Sequence, residues 1–600
     1  MTPSPTFAKK QPNKIQQIYG NSLYTIKTRS PTQKEWQEQF VYRWNNPRGP
    51  KWYQTTSSNH FVQLFLPPTL EEVEGDCKED RKGKGGLLVW IGVGGRSIKG
   101  GDVVIRPGGR KGISLCDGDE KGKEKGKGGE VVLRVWERSQ WWIDIKGMGE
   151  DPLLLFVNFD ERLDGFVDRV RKEVWGGKLM TRGVWRVDVE IWMDYQKVFE
   201  RVKMGLGEED CLVLVVFKKG VHFVGRVVEG MRKRDLIVYL ERGSVVVGGV
   251  VDSDWKRVVI GGWGVIDGGG GHLKEYWPRD EKEQRVRFDK PGNVEGGWES
   301  HDNVLEIRGK GQQVRVEGIV LLSVRGFLID CFMNDSVYDN VKCMGWSYNS
   351  DGVSVYRNAV VRNSFFKVND DCIKLGSGLV ENCVIWHQHN AHVFVARVWS
   401  KARLDNVVVK NIDIVKVEQG NGGSVFAIRG KPGASFSNWR FENIRIESNV
   451  DRLMDFAPTR EYFPDKPLQT QESQDRTVLE NFVFKNIRWN GRSKRCSWFR
   501  CGMKGEIRDV VFEDFVANGN PLTSIEDLSE ANGFSKGFTG FGNIHDISFV
   551  VDGKEVRKHK SVSDELGAWR TTTDCGEVRA FCIDSKLPDA SFRDDKCDAR

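Results

Sequence analysis

Three aspartates give the first sign of chemistry. In "YNSDGVSVYRNAVVRNSFFKVNDDCIKL" (348–375), Asp351 stands nineteen residues ahead of Asp370 and twenty ahead of Asp371. Short runs of Val, Phe and Ile separate them, which is strand composition and not that of a solvated acidic loop. Carboxylates gathered in one place repel, so at least one pKa rises and a proton stays available near neutrality. A protonated carboxyl beside an ionised one is what cleavage of a glycosidic bond needs: one donates to the leaving oxygen, the other activates water or attacks carbon. The same acids could instead be calcium ligands. They could also be turn residues only, since Asp-Gly and Asn-Asp-Asp are both common in turns.

For acids this far apart in sequence to meet, the chain must return on itself every twenty residues or so. A recurring unit does this: an Asn or Asp precedes a hydrophobic triplet and a second polar turn. It reads "YRNAVVRNSFF" (356–366), "LVENCVIWHQH" (379–389), "LDNVVVKNIDI" (404–414), "FSNWRFENIRI" (436–446), "LENFVFKNIRW" (479–489), "IRDVVFEDFVA" (507–517) and "IHDISFVVDG" (544–553). Turn residues Asn340, Asn363, Asn382 and Asn406 are 23, 19 and 24 residues apart. Such a repeat predicts a parallel β-helix whose coils stack at about 4.8 Å, with Asn side chains laddering between coils. A one-coil interval then puts Asp351 next to Asp370 and Asp371. Consecutive strand residues face opposite ways, so a bulge or turn is needed to present both members of the pair on one exterior patch.

The rest of the chain fits this frame. Six hundred residues, 39% hydrophobic with 67 Gly, 21 Trp and 32 Phe, read as a β-rich protein of two domains. Residues 1–35 are polar and read as a disordered lead. Residues 36–197 alternate short strands such as "GGLLVWIGV" and "DPLLLFVNF" with Gly-rich turns, the pattern of an N-terminal β-sandwich-like domain. Residues 198–600 form the β-helix. The net charge of +7 on 175 charged residues is weak, and the Gly/Lys runs at 78–86 and 118–129 read as solvated loops, so no nucleic-acid partner is implied. Twelve cysteines allow a few bridges, Cys496/Cys501 and Cys575/Cys582 being close enough in sequence to pair, while the lack of CxxC argues against structural zinc. The first twenty residues hold no apolar run of signal-peptide or membrane-anchor length. A single glycosylation sequon begins at Asn334.

"GWSYNSDGVSVYRNAVVRNSFFKVNDDCIKL" followed by "ENCVIWHQHNAHVFVARVW" resembles the core of glycoside hydrolase family 49, the dextranases and isopullulanases, distantly related to the polygalacturonases of family 28. "GGWGVIDGGG" (261–270) is similar to a coil found in both. The specific likeness covers Gly345 to Trp399. It implies a right-handed parallel β-helix behind a β-sandwich, an extracellular monomer acting on polysaccharide, and no cofactor or metal. It also implies an inverting hydrolysis in which Asp370 is the general acid and Asp351 with Asp371 activates water. Lys374 matches a family lysine that would bind sugar hydroxyls or hold an aspartate ionised. Trp346 and Trp386 would stack on pyranose rings, and Asn390 would contact substrate. His387, His389 and His392 fall within six residues, a spacing that suits metal ligation, although family members need none and a histidine lining a sugar cleft is ordinary; His387 is placed with the substrate-binding residues. The chain departs from the pattern after Lys374, where "LGSGLVENC" is two or three residues short. The polygalacturonase G-H-G and R-I-K signatures are missing, "AIRGK" (427–431) being a partial echo. Four readings follow: an endo-acting hydrolase of dextran or pullulan-like α-glucan, a family 28-like pectin hydrolase, a calcium-dependent lyase, and a carbohydrate-binding β-helix without turnover.

Overall fold

The computed structural model describes residues 24–29, 35, 37–44, 59–66, 87–93, 103–107, 113–115, 130–135, 139–145, 153–159, 161–175, 184–189, 212–227, 235–252, 257–268, 303–307, 313–323, 326–331, 333–345, 349–397, 403–418, 423–429, 433–457, 476–500, 505–534, 538–541 and 543–561. The Gly/Lys runs, Trp346, Cys501, Cys575 and Cys582 lie outside them.

Two five-stranded sheets form the N-terminal sandwich. The first orders Gln37–Gln39, Tyr24–Arg29, Leu87–Val93, Glu130–Val135 and Ile113–Leu115, all antiparallel. The second orders Tyr42–Trp44, Asn59–Leu66, Leu153–Phe159, Ser139–Ile145 and Val103–Arg106, with one parallel pairing between Asn59–Leu66 and Leu153–Phe159. The apolar run Leu153–Phe159 is explained by burial on both faces. Leu153, Leu155 and Val157 join the core between the sheets. Leu154 and Phe156, facing the other way, pack on the solenoid.

Both expected boundaries shift. Tyr24–Arg29 falls within the stretch read as a disordered lead, yet it pairs in register with Leu87–Val93 and buries Ile26 in the sandwich core. Val184–Val189 pairs in parallel with Leu212–Phe217, so the solenoid sheet starts before residue 198. The helix Leu163–Trp175 lays Phe166, Val167 and Val170 on the outside of these early coils. Alternating apolar residues look the same in an antiparallel sandwich and a parallel solenoid, so only the pairing partner sets the boundary.

The second domain is a right-handed parallel β-helix. Through the middle coils each strand pairs with the third one after it, giving three faces. Val353–Val355, Ile373–Leu375 and Phe394–Arg397 stack on one face, Ala359–Arg362 and Gly378–Glu381 on the next, Phe365–Val368 and Val384–His387 on the third. From Arg403 onward a single bent strand serves two faces, as in Arg403–Val417. The interior is one continuous apolar cluster. Phe441, Phe484, Phe512 and Phe549 stack down it with ring centroids 5.1, 5.4 and 5.2 Å apart.

Asparagine marks the corners because its short polar side chain tolerates the left-handed conformation and bonds to the next coil. Asn363, Asn382, Asn411, Asn443 and Asn486 all have φ between 49 and 57°. Each Nδ2 from Asn382 onward donates to the Oδ1 of the residue before it in this series. The expected ladder is corrected at two rungs: Asn363 Nδ2 donates to Asp339 Oδ1, not to Asn340, and Asn382 meets Asn411, not Asn406. Asn406 starts a second ladder with Asn438 and Asn481, because the long strand places two such corners in each coil. Cys331, Cys343, Cys372, Cys383 and Cys496 are buried. The suspected Cys496/Cys501 pair reaches outside the described residues; Cys496 packs against the Arg452 guanidinium.

The sandwich is bolted to the third face. Trp142 stacks on Trp386 at 4.1 Å and 12°. Beside this apolar contact, Asn158 Oδ1 accepts from Asn340 Nδ2 and Lys342 Nζ, both at 2.9 Å. Gln140 Nε2 donates to Asn340 Oδ1 at 3.1 Å and to the Asn363 carbonyl at 2.5 Å.

Candidate active site

The acids sit at the corner leading into the first face. Val353 is in register with Ile373, so Asp351 lies one coil from Asp371, and the Gly352 N–H donates to the Asp371 carbonyl at 3.0 Å. Residues 369–372 are a turn between Phe365–Val368 and Ile373–Leu375, which frees Asp370 and Asp371 from strand alternation. Cys372 and Ile373 then turn back into the apolar interior. One carboxylate oxygen from each of Asp351, Asp370 and Asp371 lies within 4.8 Å of the others. The trio is more enclosed than the exterior patch expected from sequence, at 3, 8 and 0% exposure.

Enclosure sets the electrostatics. Asp351 is pushed well above the usual carboxylate range, first by burial and then by Asp370 and Asp371, against the pull of Lys374. Asp370 is raised by burial and by Asp371, against its N–H donors and Lys374. Such groups titrate as one unit. Lys374 Nζ contacts Asp351 Oδ2 and rests over the Phe327 ring at 3.9 Å from its centroid. Asp370 Oδ2 accepts from the Asn349 N–H at 2.9 Å and from Asn390 Nδ2 at 2.5 Å, and Oδ1 from the Asp371 N–H at 2.8 Å. Asp351 is thus held by a cation, and Asp370 by neutral donors.

The remaining candidates divide. Lys374 and Asn390 belong to the site. Trp386 does not: it is fully buried, stacked on Trp142 and donating Nε1–H to Glu418 Oε1 at 2.8 Å, so its ring is unavailable to a sugar. It lies on the outer side of its strand, and the sandwich covers that side. The histidines part company. His387, buried with its pKa pushed down to about 4, donates Nε2–H to the Asp370 carbonyl at 3.2 Å, behind the turn. His392 Nδ1 accepts the Ser424 N–H at 3.0 Å. His389 Nε2 meets Glu418 Oε2 at 3.0 Å on the outside. They share no ligand point, and among the described residues the aspartate trio is the group of His, Cys, Asp and Glu that could surround an ion. Sequence reasoning passed over Asn349, Asn369 and Phe327. Asn349 was within reach: it opens "NSDG" in a left-handed turn (φ 64°), and that turn aims its N–H at Asp370.

The model of glycosyl hydrolases family 28 matches residues 246–533. Over that stretch, just under half of its length, the chain is similar to the glycosyl hydrolases of family 28. The dextranases of Arthrobacter sp. (strain CB-8) and Arthrobacter globiformis are each 28% identical over 128 residues, 18% of this chain and 20% of theirs, so the likeness spans about a fifth of their length. Dex49A from Penicillium minioluteum superposes with a TM-score of 0.55 at 14% identity, over 88% of this chain and 92% of that one, a likeness of fold. A hyperthermoactive exopolygalacturonase from Thermotoga maritima matches at a TM-score of 0.40 and 13% identity, over 66% of this chain and 99% of that one.

Proposed function

We propose that the protein is an extracellular, monomeric, endo-acting glycoside hydrolase of an α-glucan, dextran or a pullulan-like chain, working by proton transfer among Asp351, Asp370 and Asp371. The observation that carries this reading is the approach of three buried carboxylates within 4.8 Å, with the Lys374 ammonium beside Asp351. Burial and mutual repulsion hold Asp351 and Asp370 above the usual carboxylate range, so the site favours keeping a proton. Asp370 carries it and gives it to the leaving glycosidic oxygen as that bond breaks. Asp351, whose ionised form Lys374 favours against burial, and Asp371 take a proton from water as its oxygen bonds to the anomeric carbon. The site ends with its proton count unchanged.

Inverting pairs ordinarily stand ~6.5–9.5 Å apart to admit water between them. The nearest oxygens here are closer, so water enters beside the trio and not between its members. The configuration of the first-formed sugar, read by NMR within the first minutes of reaction, tests this: inversion supports single displacement, and retention assigns a nucleophile to the trio.

Two alternatives find less support. A calcium-dependent lyase needs ~6–8 oxygen ligands on its ion, whereas N–H donors from Asn349 and Asn390 and the Lys374 ammonium already engage Asp370 and Asp351. A pectin hydrolase needs a cation for the uronate, and Arg429, the echo of that signature, is paired with the buried Asp455. The deciding experiment measures reducing sugar from dextran, pullulan, starch and polygalacturonate. Turnover on an α-glucan, reduced ~10²–10⁴-fold in Asp370→Asn, is expected; chelator-sensitive release of ultraviolet-absorbing products would sink the hydrolase reading.

A further inference from the structure

The lysine beside the trio reaches beyond its own coil. The Leu328 N–H donates to the Asp351 carbonyl at 2.8 Å and the Gly352 N–H to the Asp371 carbonyl at 3.0 Å, so Phe327, Asp351 and Asp371 stand at one corner of three successive coils. Lys374 follows Asp371 on the strand Ile373–Leu375, yet its Nζ contacts Asp351 Oδ2 and lies over the Phe327 ring, 3.9 Å from the centroid. Two coil steps are about 10 Å. The side chain therefore lies back across the coil between. In the outward row of this face Glu306, Asp330, Ser354 and Lys374 follow one another, because Leu305, Ile329, Val353 and Ile373 beside them are interior. Ser354, the residue the lysine crosses, is small enough to let its stem pass.

The ring is fixed to the coil behind it. The Phe327 N–H donates to Asn303 Oδ1 at 3.0 Å, and its carbonyl accepts the Val304 N–H at 2.8 Å. Asn303 is itself buried, with Nδ2 donating to Asp330 Oδ2 at 3.0 Å and, more loosely, to Glu306 Oε2 at 3.5 Å. An ammonium on this face has acids on two sides: Asp351, Asp370 and Asp371 at the corner, and Asp330 with Glu306 beyond it in the row. Charge alone does not choose among carboxylates so close together, because Coulomb attraction falls off slowly with distance. A cation–π contact works only over the face of a ring, within about 6 Å of its centre, and so selects a position. Phe327 offers that face one coil from Asp351 and two from Asp371.

We infer that Phe327 is a positioning residue whose ring face steers the Lys374 ammonium onto Asp351, and so favours that carboxylate, over Asp370, as the ionised member that activates water. The inference rests on the hydrolase reading for its catalytic consequence; the place of the ammonium does not depend on that reading. The same steering draws the cation away from Asp370, whose proton a nearby positive charge would discourage. Asp370 keeps its neutral donors instead, the Asn349 and Asp371 N–H groups and Asn390 Nδ2. With the hold of the ring weakened, the ammonium spends less time on Asp351 and the ionised base forms only at higher pH.

The test compares, in the full chain, Phe327→Leu, Phe327→Tyr and a trifluorinated phenylalanine in place of Phe327, which keeps the shape of the ring and removes the negative potential of its face. Trace labelling with acetic anhydride, read by peptide mass spectrometry, reports the reactivity of the Lys374 amine whether or not the protein turns over. Phe327→Leu and the fluorinated ring should each raise it about 3-fold or more, and Phe327→Tyr should leave it near the wild-type value. Should Phe327→Leu fail to fold, the fluorinated ring carries the test alone. Where the wild type hydrolyses glucan, Phe327→Leu should move the acid limb of kcat/KM up by about half a pH unit with KM little changed, and add nothing on a Lys374→Met background. Unchanged labelling with the fluorinated ring overturns the steering, since the ring then acts by packing only. A further shift on Lys374→Met overturns it as well, because Phe327 then acts apart from the lysine. Labelling that depends on the ring, in a protein that hydrolyses nothing, retains the steering and removes only the hydrolase reading.

Discussion

At the scale of single residues, the site is a contest between enclosure and compensation. Burial raises the carboxylates, and the Lys374 ammonium beside Asp351 pulls the other way. Its removal lifts the Asp351 pKa further, so the ionised base survives only at higher pH. The acid limb of the kcat/KM profile of Lys374→Met should therefore move up by ~1 pH unit or more; an unmoved limb would detach Lys374 from the base. His387 is a second residue whose environment has a solution consequence. Burial holds its pKa near about 4, so the folded protein refuses a proton that the unfolded chain accepts near pH 6.5. Its contribution to stability is present above pH 6.5 and is lost as pH falls toward 4, by up to ~3 kcal/mol. Urea unfolding of His387→Gln across that window should show a shallower fall than wild type by about one proton.

At the scale of elements, the corners decide how faithfully coils stack. Asn411 donates to Asn382 and accepts from Asn443 while holding φ at 57°. Asn411→Ala removes both ladder bonds and puts a residue without a compensating side chain into the left-handed region. The cost should be about 2–3 kcal/mol, measured as a lower urea midpoint, with Asn411→Gly losing roughly half as much because it keeps the conformation free of strain. The turn 369–372 belongs to the same scale. It breaks strand alternation at one place, and in doing so turns Asp370 and Asp371 together toward Asp351.

At the scale of the whole molecule, the sandwich lies against the same coils that carry the site. Trp142 and Trp386 stack at the junction, while Glu418 links Trp386 to His389, which adjoins Asn390 and so the Asp370 carboxylate. Trp142→Ala should cost ~3–5 kcal/mol of packing and uncouple the two domains, so that calorimetry resolves a sandwich transition ahead of the solenoid's. Loss of activity at temperatures between the two transitions would show that the sandwich holds the site side of the third face in place. A single unchanged transition would show instead that the stacked indoles carry little of the docking.

Much of this was legible in the chain itself. Asp351, Asp370 and Asp371 are brought together because a repeat of about twenty residues is a local property: each unit carries its own Asn corner and hydrophobic triplet, and stacking follows from the period. Lys374 and Asn390 were legible only through the family resemblance; Lys374 stands three residues beyond Asp371 and Asn390 one coil beyond Asp370. Trp386 was not, because an outward tryptophan reads the same whether a sugar or another domain covers it. Tyr24–Arg29, Val184–Val189 and the second asparagine ladder were hidden likewise, since a strand's sequence fixes which of its sides is apolar but not which strand will pair with it. Period and polarity are written along the backbone; pairing partners, enclosure and the covering of one surface by another exist only once distant segments share the same space.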